Sequence, residues 1–119
     1  MATYRRINVT DEGGVSIVRF VDKKIVDSGS IEMLGEELNA LVTVEKKNVL
    51  LLNFDGVEFM SSAALNKLIS LNNKVKAAAG RLKLSNLRSE IKEVFTITKL
   101  DRLFDIRKTQ EDAVAAFKL

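Results

Sequence analysis

Val49-Leu50-Leu51-Leu52-Asn53-Phe54, followed by Asp55-Gly56 and then by Phe59-Met60-Ser61-Ser62, is the stretch from which the fold can be read outward. A nearly unbroken apolar run without alternation suits a strand covered on both faces, the pattern of a central strand in a parallel sheet. Asp-Gly is a turn signal, so residues 55–60 read as a loop and a helix begins at the serine pair. Leu65, Leu68, Ile69 and Val75 then give one buried stripe at helical spacing. Gly80 stands where a C-cap glycine ends such a helix.

Upstream, residues 4–9 and 15–21 read as two β-rich runs around the turn-forming Asp11-Glu12-Gly13-Gly14, and they pair as an antiparallel hairpin. Asp27-Ser28-Gly29-Ser30 is a cluster of helix-starting residues. Behind it Ile31, Leu34, Leu38, Leu41 and Val42 fall three or four apart, with Glu32, Glu36 and Glu37 on the opposite, solvated face. Downstream, residues 81–87 alternate as a strand, with Leu82 and Leu84 inward and Arg81, Lys83 and Ser85 outward. Ser89 caps a third helix carrying Ile91, Val94 and Phe95, residues 103–106 form a short edge strand, and Thr109 starts a last helix with Ala113, Val114 and Phe117 inside. The order β-β-α-β-α-β-α-β-α forces right-handed crossovers after the hairpin. The expected fold is α/β: a mixed, mostly parallel sheet of four to five strands with about four helices packed on it.

A chain of 119 residues with no proline and no Pro/Gly/Ser-rich linker is read as one domain over residues 1–119. Apolar residues make up 46% and charged residues 29%, which places the chain among ordinary globular proteins. There are no cysteines and no histidines. Disulfides, thiolate metal sites, cysteine nucleophiles and the commonest general base are thereby removed. No segment spaces its acids as a calcium loop does, so neither a metal nor a cofactor is expected. The net charge of +3 is dispersed and aromatic content is 6%, which gives no footprint for nucleic acid. The apolar runs are too short to span a bilayer, so no membrane insertion is expected, and Met1 to Thr10 lack the apolar centre of a secretory signal, so a cytoplasmic location is expected.

Ser61 and Ser62 fall at a strand-to-helix junction, where open α/β sheets place functional groups. The first amides of a helix lack partners and its dipole presents positive potential there. A plain helix start accounts for both residues, with Ser61 as N-cap and Ser62 in the first turn. The functional alternative is a phosphorylation switch at Ser62: a phosphate there is received by backbone N–H groups, and surface charge changes while the fold persists.

Several features occur in a particular order: Asp55-Gly56-Val57 after the apolar strand, the Phe59-Met60-Ser61-Ser62 junction, and Gly80-Arg81-Leu82 entering a strand. Thr98-Lys99-Leu100-Asp101 and Leu103-Phe104-Asp105-Ile106 follow. Together, from about residue 15 to residue 117, they resemble the STAS domain of anti-sigma factor antagonists. The resemblance implies a bacterial signalling protein that regulates transcription by binding an anti-sigma factor, itself a serine kinase of the histidine-kinase-like ATPase type. Phosphorylation of a serine at the start of the second helix ends the capture. The family junction reads Asp-Ser-Ser/Thr-Gly, so Ser61 stands for the aspartate, Ser62 for the phosphoacceptor, Ala63 for the next hydroxyl residue and Ala64 for the glycine. A methyl at Ala64 is expected to crowd a partner that glycine would admit. Asp27 and Ser28 match a family loop near the phosphoacceptor, where a plain helix cap is the competing explanation. The expected partner surface is Asp27, Ser28, Met60, Ser61, Ser62, Ala63 and Ala64.

Two rivals remain. An enzyme would have to use carboxylates, lysines and serines alone, and no lysine adjoins Ser61 or Ser62 in sequence; catalysis is not expected. A STAS scaffold without a switch, serving a stress-sensing assembly or a lipid transporter, would keep the fold and lose the phosphoacceptor.

Overall fold

In the computed structural model, which describes residues 4–118, Leu50, Leu51 and Leu52 are all fully buried, and they divide between two cores. Leu50 and Leu52 join the large cluster containing Ile31, Leu34, Leu38, Leu65, Leu68, Phe95 and Phe104. Leu51 faces the other way, onto Val15, Ile17, Ala113, Val114 and Phe117. A strand whose alternate side chains enter two cores lies between two layers, which is why the run shows no polar alternation.

The elements in chain order are β1 (Ile7–Glu12), β2 (Val15–Phe20), β3 (Lys24–Ile25), α1 (Ser28–Thr43), β4 (Val49–Asn53), β5 (Phe59–Met60), α2 (Ser62–Ala77), β6 (Arg81–Ser85), α3 (Ser89–Ile97), a 3₁₀ turn (Leu100–Arg102), β7 (Asp105–Arg107) and α4 (Gln110–Phe117). The main sheet has five strands in the order β1-β2-β4-β6-β7, with β1 antiparallel to β2 and every other pair parallel. Helices α1, α2 and α3 supply the large core, and α4 covers the opposite face. The expected α/β class, mixed and mostly parallel sheet and helix number are found, with two short strands, β3 and β5, added to the expected series.

Several local expectations are corrected. The first strand begins at Ile7, and Asp11 and Glu12 are paired strand residues opposite Ser16 and Val15. The turn shrinks to Gly13-Gly14, both at positive φ (59° and 87°), as a two-residue hairpin of matching twist requires. Glu37 is not simply solvated: its carboxylate accepts the Arg5 and Arg6 amides, each at 2.9 Å, and ties the segment before β1 to α1. Ser85 is fully buried and Lys83 largely so, because α4 covers the face expected to meet water. The Lys83 ammonium pairs with Asp105 and lies 4.9 Å from the Phe117 ring centre. β6 ends at Ser85, since Asn86 takes a left-handed conformation (φ 60°). Ser89 is the first residue of α3; Arg88 holds the cap position, without a side-chain bond.

Gly80 does not supply the left-handed residue that ends α2. Ala79 does, at φ 56°. Gly80 N–H donates to Val75 O (2.8 Å) and Ala79 N–H to Lys76 O (3.0 Å), the paired bonds of a Schellman ending. Glycine is required for a different reason: a Cβ at Gly80 would lie 2.1 Å from the Asn48 carbonyl oxygen.

Candidate functional site

The site is built at the carboxyl edge of the sheet. After β4, Asn53 turns the chain by accepting the Asp55 amide on its side-chain oxygen (2.8 Å), and Val57 N–H returns to Phe54 O (2.9 Å). The segment expected to be loop then forms β5, paired in parallel with β3: Lys24 opposes Phe59 and Ile25 opposes Met60. Ser61 N–H extends this ribbon to Ile25 O at 3.0 Å. Below it, ring contacts run from Phe20 to Phe54 (4.8 Å between centroids), to Phe95 (6.3 Å) and to Phe104 (5.8 Å), joining β2, the turn, α3 and the chain before β7.

The ribbon has one geometric consequence. Because β3 leads into α1 and β5 leads into α2, the parallel pairing sets the two helix N-termini side by side, pointing the same way. The helices pack together along their lengths, and Lys67 on α2 reaches Glu32 on α1 at 3.1 Å. Asp27 is the N-cap of α1, its carboxylate accepting the Ser30 amide at 3.0 Å. Ser61 is the N-cap of α2, its hydroxyl accepting the Ala64 amide at 3.3 Å. Each cap is followed by a serine at the first helical position, Ser28 and Ser62, and both are exposed. With Ser61 N–H bound to Ile25 O and the Ala64 amide capped, the unpaired amides of this helix start are those of Ser62 and Ala63. No acidic residue lies in the first turn of α2 to offset its positive end.

Of the seven residues expected to form a partner surface, the structure groups Asp27, Ser28, Ser61, Ser62 and Ala63 at this edge; Ser61 is half-buried and the other four are exposed. Met60 and Ala64 are corrected: they are 5% and 0% exposed, because the inward parity of β5 and the buried stripe of α2 direct their side chains into the core. The Ala64 methyl therefore crowds nothing outside. Two apolar side chains not singled out from sequence stand in the open beside the serines, Val26 (49% exposed) and Phe59 (53% exposed). Their signal lay in the repeated arrangement of an apolar residue shortly before each helix start, Ile25-Val26 before Asp27-Ser28 and Phe59-Met60 before Ser61-Ser62. Among the described residues no group of three or more acids gathers as a metal site, and no helix is long and apolar enough to cross a membrane.

Comparison with known proteins shows what the chain as a whole is similar to. BtrV of Bordetella bronchiseptica, named as an anti-sigma factor antagonist, is 31% identical over 94 residues, covering 79% of this chain and 80% of BtrV. A Thermotoga maritima protein of the same designation superposes with a TM-score of 0.84 over 95% of each chain at 17% identity. The Bacillus cell fate determinant SpoIIAA, in its phosphorylated form, superposes with a TM-score of 0.71 over 93% of this chain and 98% of its own at 18% identity. At such identities the two solved structures are likenesses of fold. The family profile described as STAS domain matches residues 6–113, and the chain belongs to the STAS domain family.

Proposed function

We propose that this protein is an anti-sigma factor antagonist that binds its partner through the twin helix N-termini and is released by phosphorylation of Ser62. The partner is an anti-sigma factor that is also a serine kinase of the histidine-kinase-like ATPase type. In the transfer, Ser62 Oγ would attack the γ-phosphorus of ATP held by the kinase, ADP would leave, and the hydroxyl proton would pass to a base on the kinase. No group on this chain has to act as a catalyst.

The observation that carries the reading is the division of labour between adjacent serines. Ser61 is half-buried with its hydroxyl committed to the Ala64 amide, whereas Ser62 is exposed beside two unpaired amides. A phosphate on Ser62 gains nearly two negative charges at the positive end of α2. It also adds bulk and a strongly hydrated group to a surface that docking must dry, next to Val26 and Phe59. Binding is lost because that hydration has to be stripped away, and the backbone need not move. Serine in place of the family aspartate preserves the cap, since the two residues rank alike as caps, while removing one negative charge beside the acceptor.

Mass spectrometry of the protein from its native cells tests the modification by locating phosphate on the peptide containing Ser61 and Ser62. Binding to the purified kinase tests the switch: Ser62→Ala retains capture and Ser62→Asp weakens it. Equal capture by the two variants would defeat the proposal.

A further inference from the structure

Beside Ser62 lies a groove of about 200 Å³, floored and walled by Phe59, Met60, Leu65, Ile91, Val94 and Phe95. It runs between β5, the first turn of α2 and α3. That volume is below the range of drug- and cofactor-sized pockets, roughly 300–1,000 Å³, and suits a single large side chain. Its two charged lining residues are both acids, Glu58 from β5 and Glu90 from α3. Among the described residues neither acid takes part in an ion pair. Glu90 is kept ionised by its own backbone N–H, by the Ser89 hydroxyl and by Arg88, which hold its carboxyl below the usual range. In a chain of net charge +3, the lining of this apolar slot thus carries two acids and no base, with Arg88 outside it beside Glu90.

We infer that the groove receives an apolar side chain flanked by basic residues on the docking protein, extending the Ser62 contact surface across to α3. The inference rests on the docking role proposed above and specifies what the partner presents: a helix carrying leucine or a residue of similar size with lysine or arginine one turn away. Charge complementarity selects this occupant. Two carboxylates repel an anionic membrane surface and favour cations on either side of a buried apolar anchor. The same features disfavour a second copy, which would have to bring its own Glu58 and Glu90 toward the slot.

The test uses the full chain, labelled with ¹⁵N, and two synthetic helical peptides. One carries leucine flanked by lysines one turn to either side; the other has glutamates in place of the lysines. The lysine peptide should shift the amides of Phe59, Met60, Leu65, Ile91 and Val94 and bind about tenfold more tightly at low salt. The double variant Glu58→Gln, Glu90→Gln should erase that preference. Phe59→Ala, which alters an exposed side chain, should weaken the lysine peptide about tenfold while leaving the dispersion of the spectrum intact. Shifts centred elsewhere, equal affinity for the two peptides, absence of binding, or self-association through the groove without peptide would each overturn the inference. Its failure is separable from that of the switch. If the peptide does not seat but Ser62→Asp still weakens kinase capture, the groove assignment alone falls. If the peptide seats but Ser62→Ala and Ser62→Asp capture the kinase equally, the switch alone falls.

Discussion

Replacing Ser61 and Ser62 one at a time separates a hydroxyl the fold uses from one it leaves free. Ser61 Oγ accepts the Ala64 amide at 3.3 Å, a long bond, from a half-buried position. Loss of a serine N-cap costs about 0.5–2 kcal/mol; the length of this bond puts Ser61→Ala near 1 kcal/mol. Ser62 occupies the first helical position and is exposed. Alanine there gains helix propensity, so Ser62→Ala should fall within about 0.5 kcal/mol of the parent, on the stabilising side. Ser62→Asp places a carboxylate in a first turn that has none, and should stabilise by about 0.3–1 kcal/mol at low ionic strength. Urea unfolding followed by far-ultraviolet circular dichroism resolves these differences: with a slope of about 2 kcal/mol/M, a loss of 1 kcal/mol lowers the midpoint by about 0.5 M. A Ser62→Ala variant as destabilised as Ser61→Ala would show that Ser62 bears a structural bond, and the assignment of separate roles would be wrong.

Gly80→Ala should destabilise by about 3 kcal/mol, the upper end for overpacking, because the added methyl meets the backbone of Asn48 at 2.1 Å; Ala79→Gly, one residue earlier, should stabilise by about 1 kcal/mol by relieving a left-handed alanine. Thermal and urea unfolding of the pair check both signs. Gln110→Ala should cost about 1–3 kcal/mol by the same measurements, since Gln110 accepts the Asn53 side-chain N–H at 2.8 Å and Asn53, 2% exposed, cannot turn to water instead. Stability against pH is set by carboxylates. The Arg107 guanidinium, with Lys83, holds Asp105 below its ordinary value, and the Ser16 hydroxyl, with Lys47, does the same for Asp11. Lowered folded values mean stability that is full above the unfolded carboxylate pKa near 4 and lost as pH falls through the folded values. With no histidine in the chain, urea midpoints should be level from about pH 5 to 8 and decline below about pH 4; a step between pH 6 and 7 would contradict this.

Which parts of the molecule the sequence discloses follows from how far each signal reaches. The stripe Ile31, Leu34, Leu38, Leu41 and Val42 is the buried face of α1 residue for residue, because helical periodicity and burial by a sheet impose the same spacing. The run from Val49 to Phe54 identifies a strand between two layers for the same reason. β3 and β5 are different: each is two residues long, too short for a period, and they exist because two distant segments meet. The exposed Phe59 and buried Met60 could not be told apart while both were read as loop. Ser85 shows the limit on the other side of the sheet, where alternation marks two faces but not that α4 covers the second. At the end of α2 the glycine was visible, yet its purpose was not, since close approach to Asn48 is a tertiary contact.

The ribbon of β3 and β5 also fixes what kind of signal the proposed switch can transmit. It seats the starts of α1 and α2 by backbone bonds, including Ser61 N–H to Ile25 O, and both caps are satisfied by residues that precede the exposed serines. No bond that defines the helix start depends on the Ser62 hydroxyl. Negative charge at Ser62 meets the unopposed positive end of α2, so the fold accommodates an acidic group there. A modification that leaves the fold equally or more stable acts through a change in what the surface offers a partner, and not through a change of shape. The proposed switch therefore has a thermodynamic signature of its own: Ser62→Asp should raise or preserve the unfolding midpoint while lowering affinity for the kinase. A charge that weakened both together would mean that binding was lost through damage to α2.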